Sequence, residues 1–91
     1  MVGWLAVSKA GHDKGNRYII IEETQDFVLL ADGRYKTMEH PKRKRKKHIQ
    51  ICKKTDPLLL ELGRKLREKE TVRDEEIKRA VKLLKDREVE E

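Results

Sequence analysis

The sequence predicts a mainly β domain, in the form of a small barrel or a strongly bent sheet, followed by a helical hairpin. Short apolar and β-branched runs separated by turn residues fill positions 1–54. After position 55 the apolar residues recur at helical spacing. A length of 91 residues allows one small domain with a small core. We therefore expect a β domain over residues 1–54 and a two-helix C-terminal extension over residues 55–91.

Five short strands are predicted in the first part of the chain. Tyr18 and the three isoleucines that follow it form the strongest β signal. Trp4 and Phe27 each begin an apolar run, so we expect both side chains in the core. The predicted strands cover residues 4–7, 17–22 and 27–31, a weak stretch after the tight turn at residues 32–33, and a half-buried edge strand at residues 48–52.

Two helices are predicted in the second part. Asp56 is suited to cap the first helix, with Pro57 at its first position. Gly63 inside that helix weakens it by up to about 1 kcal/mol relative to Ala. Each helix carries an apolar stripe that either packs on its neighbours in the chain or binds another protein or a second copy. The stripes are Leu59, Leu62 and Leu66 in the first helix and Ile77, Ala80, Val81 and Leu84 in the second.

The charge is unevenly distributed and favours an anionic partner. The chain has 23 Lys and Arg against 17 Asp and Glu, a formal net charge of +6. Residues 1–54 carry 13 basic and 6 acidic residues, a net charge of +7. The densest point is the basic run, which we define as residues 42–47. Such a local excess is typical of nucleic-acid contact, although a solvated loop or a localisation signal has the same composition.

Several classes of protein are disfavoured. The apolar runs are too short to span a bilayer. A membrane surface is a weaker candidate for the anionic partner than nucleic acid, because the basic run lacks adjacent apolar anchors and is not on an amphipathic helix, so we expect no membrane partner. The single cysteine, Cys52, excludes an internal disulfide and fits a reducing compartment, so we expect a cytoplasmic protein. His40, His48 and Cys52 are too few for a closed zinc site, and we expect no metal or other cofactor. No catalytic arrangement of side chains is visible, so we expect no enzymatic activity.

The start of the chain resembles a known family. Residues 2–21 contain a glycine, an apolar strand, a loop with Gly11, Asp13 and Gly15, and a second apolar strand. This stretch resembles the KOW motif and is similar to the start of the fourteen-e family of large-subunit ribosomal proteins. Residues 27–33 resemble that family's third strand and turn. His12 departs from the pattern, because Arg or Lys is more usual there.

The resemblance covers residues 2 to 52 and omits the helical tail. The chain looks most like the small, ribosomal-protein-like KOW-domain proteins of bacteria. The resemblance implies an SH3-like barrel, RNA binding and no catalysis.

Three segments are candidate RNA-binding elements. Glycines in the loop of residues 11–15, named here the glycine loop, permit positive φ and bring backbone amides towards a phosphate. A turn after residue 33 presents cations beside a ring that can stack, and we expect Tyr35 to be exposed. The basic run is expected to be mobile when free and ordered on RNA. The candidate residues are Lys9, Gly11, His12, Lys14, Gly15, Arg17, Arg34, Tyr35, Lys36, Lys42, Arg43, Lys44, Arg45, Lys46, Lys47 and His48.

Two functions from different classes follow. The first is an RNA-binding protein whose target is structured RNA, with ribosomal RNA as the leading candidate. The second is a protein-interaction KOW module of the transcription or translation machinery. In that version ribosomal or transcription proteins bind the barrel edge or the tail helices, and nucleic acid is touched only nonspecifically.

Overall fold

The computed structural model describes residues 1–52 and 56–89, with side chains up to residue 83. The sequence-predicted boundary between residues 54 and 55 therefore lies outside the described residues. The architecture is a five-stranded antiparallel sheet with two helices. In chain order the elements are β1 (Leu5–Ser8), β2 (Arg17–Glu23), β3 (Phe27–Ala31), β4 (Lys42–Arg45), a 3₁₀ turn (Lys46–His48), β5 (Ile49–Cys52), α1 (Pro57–Arg67) and α2 (Asp74–Val89).

The strands follow the order β4-β3-β2-β1-β5, so β4 and β5 form the two edges of the sheet. All pairs of neighbours are antiparallel. A register irregularity between Ile20 and Glu22 places an extra residue in β2, a feature that bends a strand and increases its twist. The small sheet and the two helices agree with the prediction. β5 is the edge strand that the alternation of polar and apolar residues at 48–52 indicates.

The fourth strand was predicted in the wrong place. No strand is assigned to residues 32–41, and the basic run itself supplies β4. Arg43 pairs with Leu29 and Arg45 with Phe27 in the backbone ladder with β3. Residues 42–45 of the run are thus a paired strand, whereas the ordering of the run on RNA stays a prediction. The run can form a strand because carboxylates close to β4 neutralise the lysines on one of its sides, as described below.

The core occupies both faces of the sheet. On one face Leu5, Ile19 and Ala31 pack against apolar residues of the helical region. Those residues are Leu59, Leu62, Val72, Ile77 and Ala80. The opposite face buries a second cluster formed by Ala6, Tyr18, Ile20, Val28, Leu30 and Ile49. The described residues of the helical stripes thus pack on the sheet, the first of the two roles left open, while the side chain of Leu84 lies outside the described residues.

The start of α1 has the predicted cap. Asp56 Oδ1 accepts a hydrogen bond from the Leu58 N–H at 2.9 Å, and Pro57 occupies the first turn. The N-terminal backbone packs closely against α1 at Gly63, since a methyl group at Gly3 would collide with the Gly63 Cα. This close approach requires glycine at position 3, which has a φ of +89°.

Two aromatic residues lie outside the core positions predicted for them. Trp4 is 38% exposed, because the core-facing position of this segment is taken by Leu5, which is fully buried. Phe27 is half-buried at the end of β3, where arginine side chains of β4 cover its ring. Trp4 and Phe27 are the first residues of their apolar runs, so their side chains lie at the margin of the sheet rather than in its core.

Candidate nucleic-acid interface

A buried carboxylate holds the glycine loop against β4. Asp13 Oδ1 lies 2.7 Å from Lys44 Nζ and accepts a hydrogen bond from Ser8 Oγ at 3.0 Å. Asp13 Oδ2 accepts from the Tyr18 hydroxyl at 3.3 Å. Burial raises the pKa of Asp13, but the hydrogen bonds from Lys44 and Ser8, with the charges of Lys44 and Lys42, outweigh it and lower the pKa from 3.8 to about 2. Asp13 is therefore an ionised anchor rather than a proton donor.

The glycine loop has the backbone conformation that its sequence predicts. Gly11 and Gly15 have φ values of +85° and +90°. The Lys14 N–H donates to the Gly11 carbonyl at 3.2 Å, and the Gly15 N–H donates to the Ser8 carbonyl at 2.8 Å. These two amides are engaged within the protein, so the phosphate cradle expected from the sequence stays a prediction for the amides of residues 11–13. The exposed side chains that the loop region offers an anion are Lys9, His12 and Lys14.

The basic run divides into two sets of alternating side chains. One set turns towards carboxylates: Lys44 and Lys42 approach Asp13, and Lys46 Nζ lies 2.7 Å from Glu23 Oε2. The distance from Lys42 Nζ to Asp13 Oδ2 is 3.6 Å. The other set, formed by Arg43, Arg45 and Lys47, is exposed. Within β4 this alternation is the period of two that a β-strand imposes, and Lys46 and Lys47 continue it in the 3₁₀ turn.

The two exposed arginines of β4 share one aromatic ring. The guanidinium carbon of Arg43 lies 3.7 Å from the centroid of the Phe27 ring, and that of Arg45 lies 5.1 Å from it. Arg45 is the direct cross-strand partner of Phe27, whereas Arg43 is its diagonal neighbour. The ring thus orients two cations at the edge of the sheet through cation–π contact.

A second cationic element is the turn after β3. Asp32 Oδ1 accepts hydrogen bonds from the backbone N–H groups of Arg34, Tyr35 and Lys36, each at 2.9 Å. This Asx arrangement fixes the turn that the sequence predicts. Tyr35 is 75% exposed, as predicted, and the Arg34 guanidinium carbon lies 5.1 Å from its ring centroid. Lys36 is half-buried, and its carbonyl accepts from the Asp32 N–H at 2.9 Å.

The turn meets α2 at a cleft of about 350 Å³, named here the basic cleft. Its walls bring together cations from the sheet, the turn and the helix. Gly15, Arg17, Arg34 and Tyr35 are sequence-predicted site residues, whereas the other lining residues were not predicted. Those others are Asn16, Asp32, Lys78, Val81 and Lys82.

Close docking of the turn on α2 creates this cleft. Gly33 has a φ of +78°, and a methyl group there would lie 2.7 Å from the Lys78 backbone nitrogen. The Asp74 side chain accepts a hydrogen bond from the Met38 N–H at 2.8 Å, which fixes the start of α2 to the chain beyond the turn. Lys78 and Lys82 are four residues apart and so share a helix face, the one sequence signal that could have paired them.

The remaining predicted site residue, His48, is half-buried at the end of the 3₁₀ turn. Its carbonyl accepts a hydrogen bond from the Lys9 N–H at 2.8 Å. In the part of the chain that the structure describes, no three His, Cys, Asp or Glu side chains converge as metal ligands would. Neither helix, over its described residues, combines the length and the apolar character needed to cross a membrane.

Comparison with known proteins adds no family to this description. No protein-family model matches the chain, and no curated protein matches it.

Proposed function

We propose that this chain is a cytoplasmic RNA-binding protein with a KOW-type, SH3-like barrel, and that its target is structured RNA, ribosomal RNA in particular. The observation that carries the proposal is the division of the basic run into paired lysines and an exposed cationic row. Arg43, Arg45 and Lys47 form that row. The KOW resemblance of residues 2 to 52 and the antiparallel sheet over the same region support the choice of family.

The cationic row has the spacing of a backbone-binding strip. Alternate residues of a strand, here Arg43 and Arg45, lie roughly 6.6 Å apart, a distance comparable with that between successive phosphates of a nucleic-acid strand. Two carboxylates that contact the run, Asp13 and Glu23, are paired with lysines of the other set. The row therefore faces solvent with its own charge largely uncompensated, as expected for a surface that releases counterions when it binds phosphates.

The neighbouring turn supports RNA over duplex DNA. Tyr35 exposes most of its ring, and Arg34 lies beside it. Exposed aromatic rings flanked by arginine bind the faces of unstacked bases, which occur in the loops and bulges of structured RNA. A uniform DNA duplex keeps its base faces stacked and offers only its grooves and backbone.

The test is a competition titration at near-physiological salt. The pure protein binds a labelled ribosomal RNA fragment, and unlabelled tRNA, single-stranded RNA and duplex DNA compete. Binding that resists all three competitors supports recognition of a specific RNA. Equal displacement by every competitor overturns it, because phosphate contact alone does not distinguish these polymers.

A second candidate, a protein-interaction module, is favoured by one surface feature. Met1 and Trp4 are 39% and 38% exposed, and Leu60 on α1 is 61% exposed. Among these residues Trp4 is of the type most enriched at the energetic centres of protein interfaces. Equal displacement in the titration, together with loss of a protein partner on Trp4→Ser, supports this candidate instead.

A further inference from the structure

The basic cleft joins three parts of the chain that are far apart in sequence. Arg17 begins β2, Arg34 and Tyr35 belong to the turn after β3, and two lysines come from α2. The cleft therefore exists only when α2 is docked on the sheet. The KOW resemblance does not extend to α2, so one wall of the cleft comes from outside the region that the resemblance covers.

The charge of the cleft is strongly positive. Its lining includes Arg17, Arg34, Lys78 and Lys82 and one carboxylate, Asp32. One oxygen of that carboxylate is already occupied by three backbone N–H donors of the turn. Lys78 and Lys82 are exposed at the wall formed by α2. The two ammonium groups of this wall therefore attract an anionic ligand.

The lining of the cleft also offers a surface for a flat ring. Tyr35 is 75% exposed and lines the cleft, as does the apolar side chain of Val81 on α2. A volume of about 350 Å³ is within the range of small-ligand sites. The cleft thus combines a stacking surface with cations that suit a phosphate.

We propose that the basic cleft binds one unpaired nucleotide of an RNA, with its base on Tyr35 and its phosphates beside Lys78 and Lys82. This assignment rests on the proposed RNA-binding function and adds the part of the RNA that the cleft takes. A paired nucleotide does not fit this geometry, because its base faces are covered by neighbouring bases. A bulged or looped-out nucleotide exposes one face and keeps its phosphates accessible.

The experiment compares two RNA hairpins that differ by one bulged nucleotide. The bulge is 2-aminopurine, whose fluorescence reports stacking. We expect tighter binding of the bulged hairpin and a change in fluorescence when it binds. Tyr35→Ala is expected to weaken binding of the bulged hairpin roughly 5- to 150-fold and to leave binding of the paired hairpin nearly unchanged. Tyr35→Phe keeps a ring and should retain the preference.

The α2 wall is tested with a matched pair of charge changes. Lys82→Gln removes a cation from the cleft, whereas Arg79→Gln removes one from an exposed position of the same helix that does not line it. We expect the first variant, and not the second, to reduce the preference for the bulged hairpin. Circular dichroism and thermal melting establish that the variants are folded.

The outcomes separate this inference from the function on which it rests. Equal binding of both hairpins, or an unchanged bulge preference in Tyr35→Ala, overturns the cleft assignment while RNA binding stands. Failure of the protein to bind either hairpin or the ribosomal RNA fragment overturns the proposed function, and the cleft assignment with it.

Discussion

The Lys44 ammonium nitrogen lies 2.7 Å from Asp13 Oδ1, and this pair joins the basic run to the glycine loop. Both side chains are about 10% exposed. Lys44 Nζ also donates to the Ala10 carbonyl at 2.7 Å. A lysine from the most cationic stretch of the chain is thus a structural residue. Its neighbours Arg43 and Arg45 face solvent, so adjacent residues of one strand have different roles.

The first prediction concerns the stability contributed by Asp13. Its pKa is lowered from 3.8 in the unfolded chain to about 2 in the fold. The stabilisation is therefore complete above about pH 4 and is lost as the pH falls towards 2. Asp13→Asn should reduce the free energy of unfolding by about 2 kcal/mol at pH 7, and the difference from the unsubstituted protein should narrow below pH 4.

Denaturant titrations at several pH values measure this difference. Asp26→Asn, at an exposed position between β2 and β3, is the control, and its effect should be small at every pH. A deficit of Asp13→Asn that persists unchanged at pH 2 would show that the ionised carboxylate is not the source of the stabilisation.

The second prediction concerns the salt dependence of RNA binding. Lys46 and Lys47 are adjacent lysines, but the Lys46 side chain is paired with Glu23 whereas the Lys47 side chain is exposed. Lys47→Gln should make the log–log slope of affinity against salt shallower by roughly 0.7 to 0.9, the value for one phosphate contact. Lys46→Gln should leave the slope nearly unchanged.

Replacement of the whole exposed row extends this test. The triple variant Arg43→Gln, Arg45→Gln, Lys47→Gln should make the log–log slope shallower by roughly two to three units, because up to three phosphate contacts are lost. Fluorescence anisotropy with one RNA across a salt series measures all the variants. Equal slopes for Lys46→Gln and Lys47→Gln would contradict the division of the run into two sets.

Most of the sheet could be predicted because its signals are local. In β2 and β3 the β-branched and apolar residues specify a strand from their own side chains. β4 has no such signal, since lysine disfavours strands and the run contains only Lys and Arg. Its structure depends on the register with β3 and on Asp13 and Glu23, which lie elsewhere in the sequence. Context of this kind is not visible in a local pattern.

The candidate site divides in the same way. The turn that exposes Tyr35 follows from Asp32 and Gly33, because Asp-Gly turns have a local chemical cause. Participation of Lys78 and Lys82 follows from the docking of α2 on that turn, a tertiary contact between segments about 45 residues apart. Helical spacing places the two lysines on one face of α2, but it does not reveal which part of the chain packs against that face.

The third prediction tests this docking with two glycines that share a backbone conformation. Gly33 and Gly15 have φ values of +78° and +90°, so alanine is strained at either position. A methyl group at Gly15 meets no atom within 4 Å, whereas at Gly33 it collides with the backbone of α2. Gly15→Ala should cost about 1 kcal/mol of stability, and Gly33→Ala about 2 kcal/mol or more.

Thermal and denaturant unfolding measure both losses, and the Gly15 variant serves as the control for backbone strain alone. Gly33→Ala should also abolish the preference for a bulged RNA if it remains folded, because α2 must move away from the turn. Equal destabilisation by the two substitutions would argue against close docking of α2 on residue 33.

The last prediction separates the positioning of the arginines from their charge. The Phe27 ring lies 3.7 Å from the guanidinium carbon of Arg43 and 5.1 Å from that of Arg45. Phe27→Leu keeps an apolar side chain and both charges but removes the surface that orients the two guanidinium groups. Cation–π contacts at exposed sites contribute about 0.5–1 kcal/mol each, so RNA affinity should fall roughly 2- to 30-fold.

The salt slope distinguishes this effect from a loss of phosphate contacts. The slope counts the phosphates that are neutralised, and Phe27→Leu leaves every cation in place, so it should stay the same while affinity falls. Arg43→Gln is the matched comparison for Phe27→Leu, since it should reduce RNA affinity and also make the salt slope shallower. A shallower slope for Phe27→Leu would mean that the ring is needed for the arginines to reach phosphates at all, whereas an unchanged affinity would mean that the stacking does not contribute to binding.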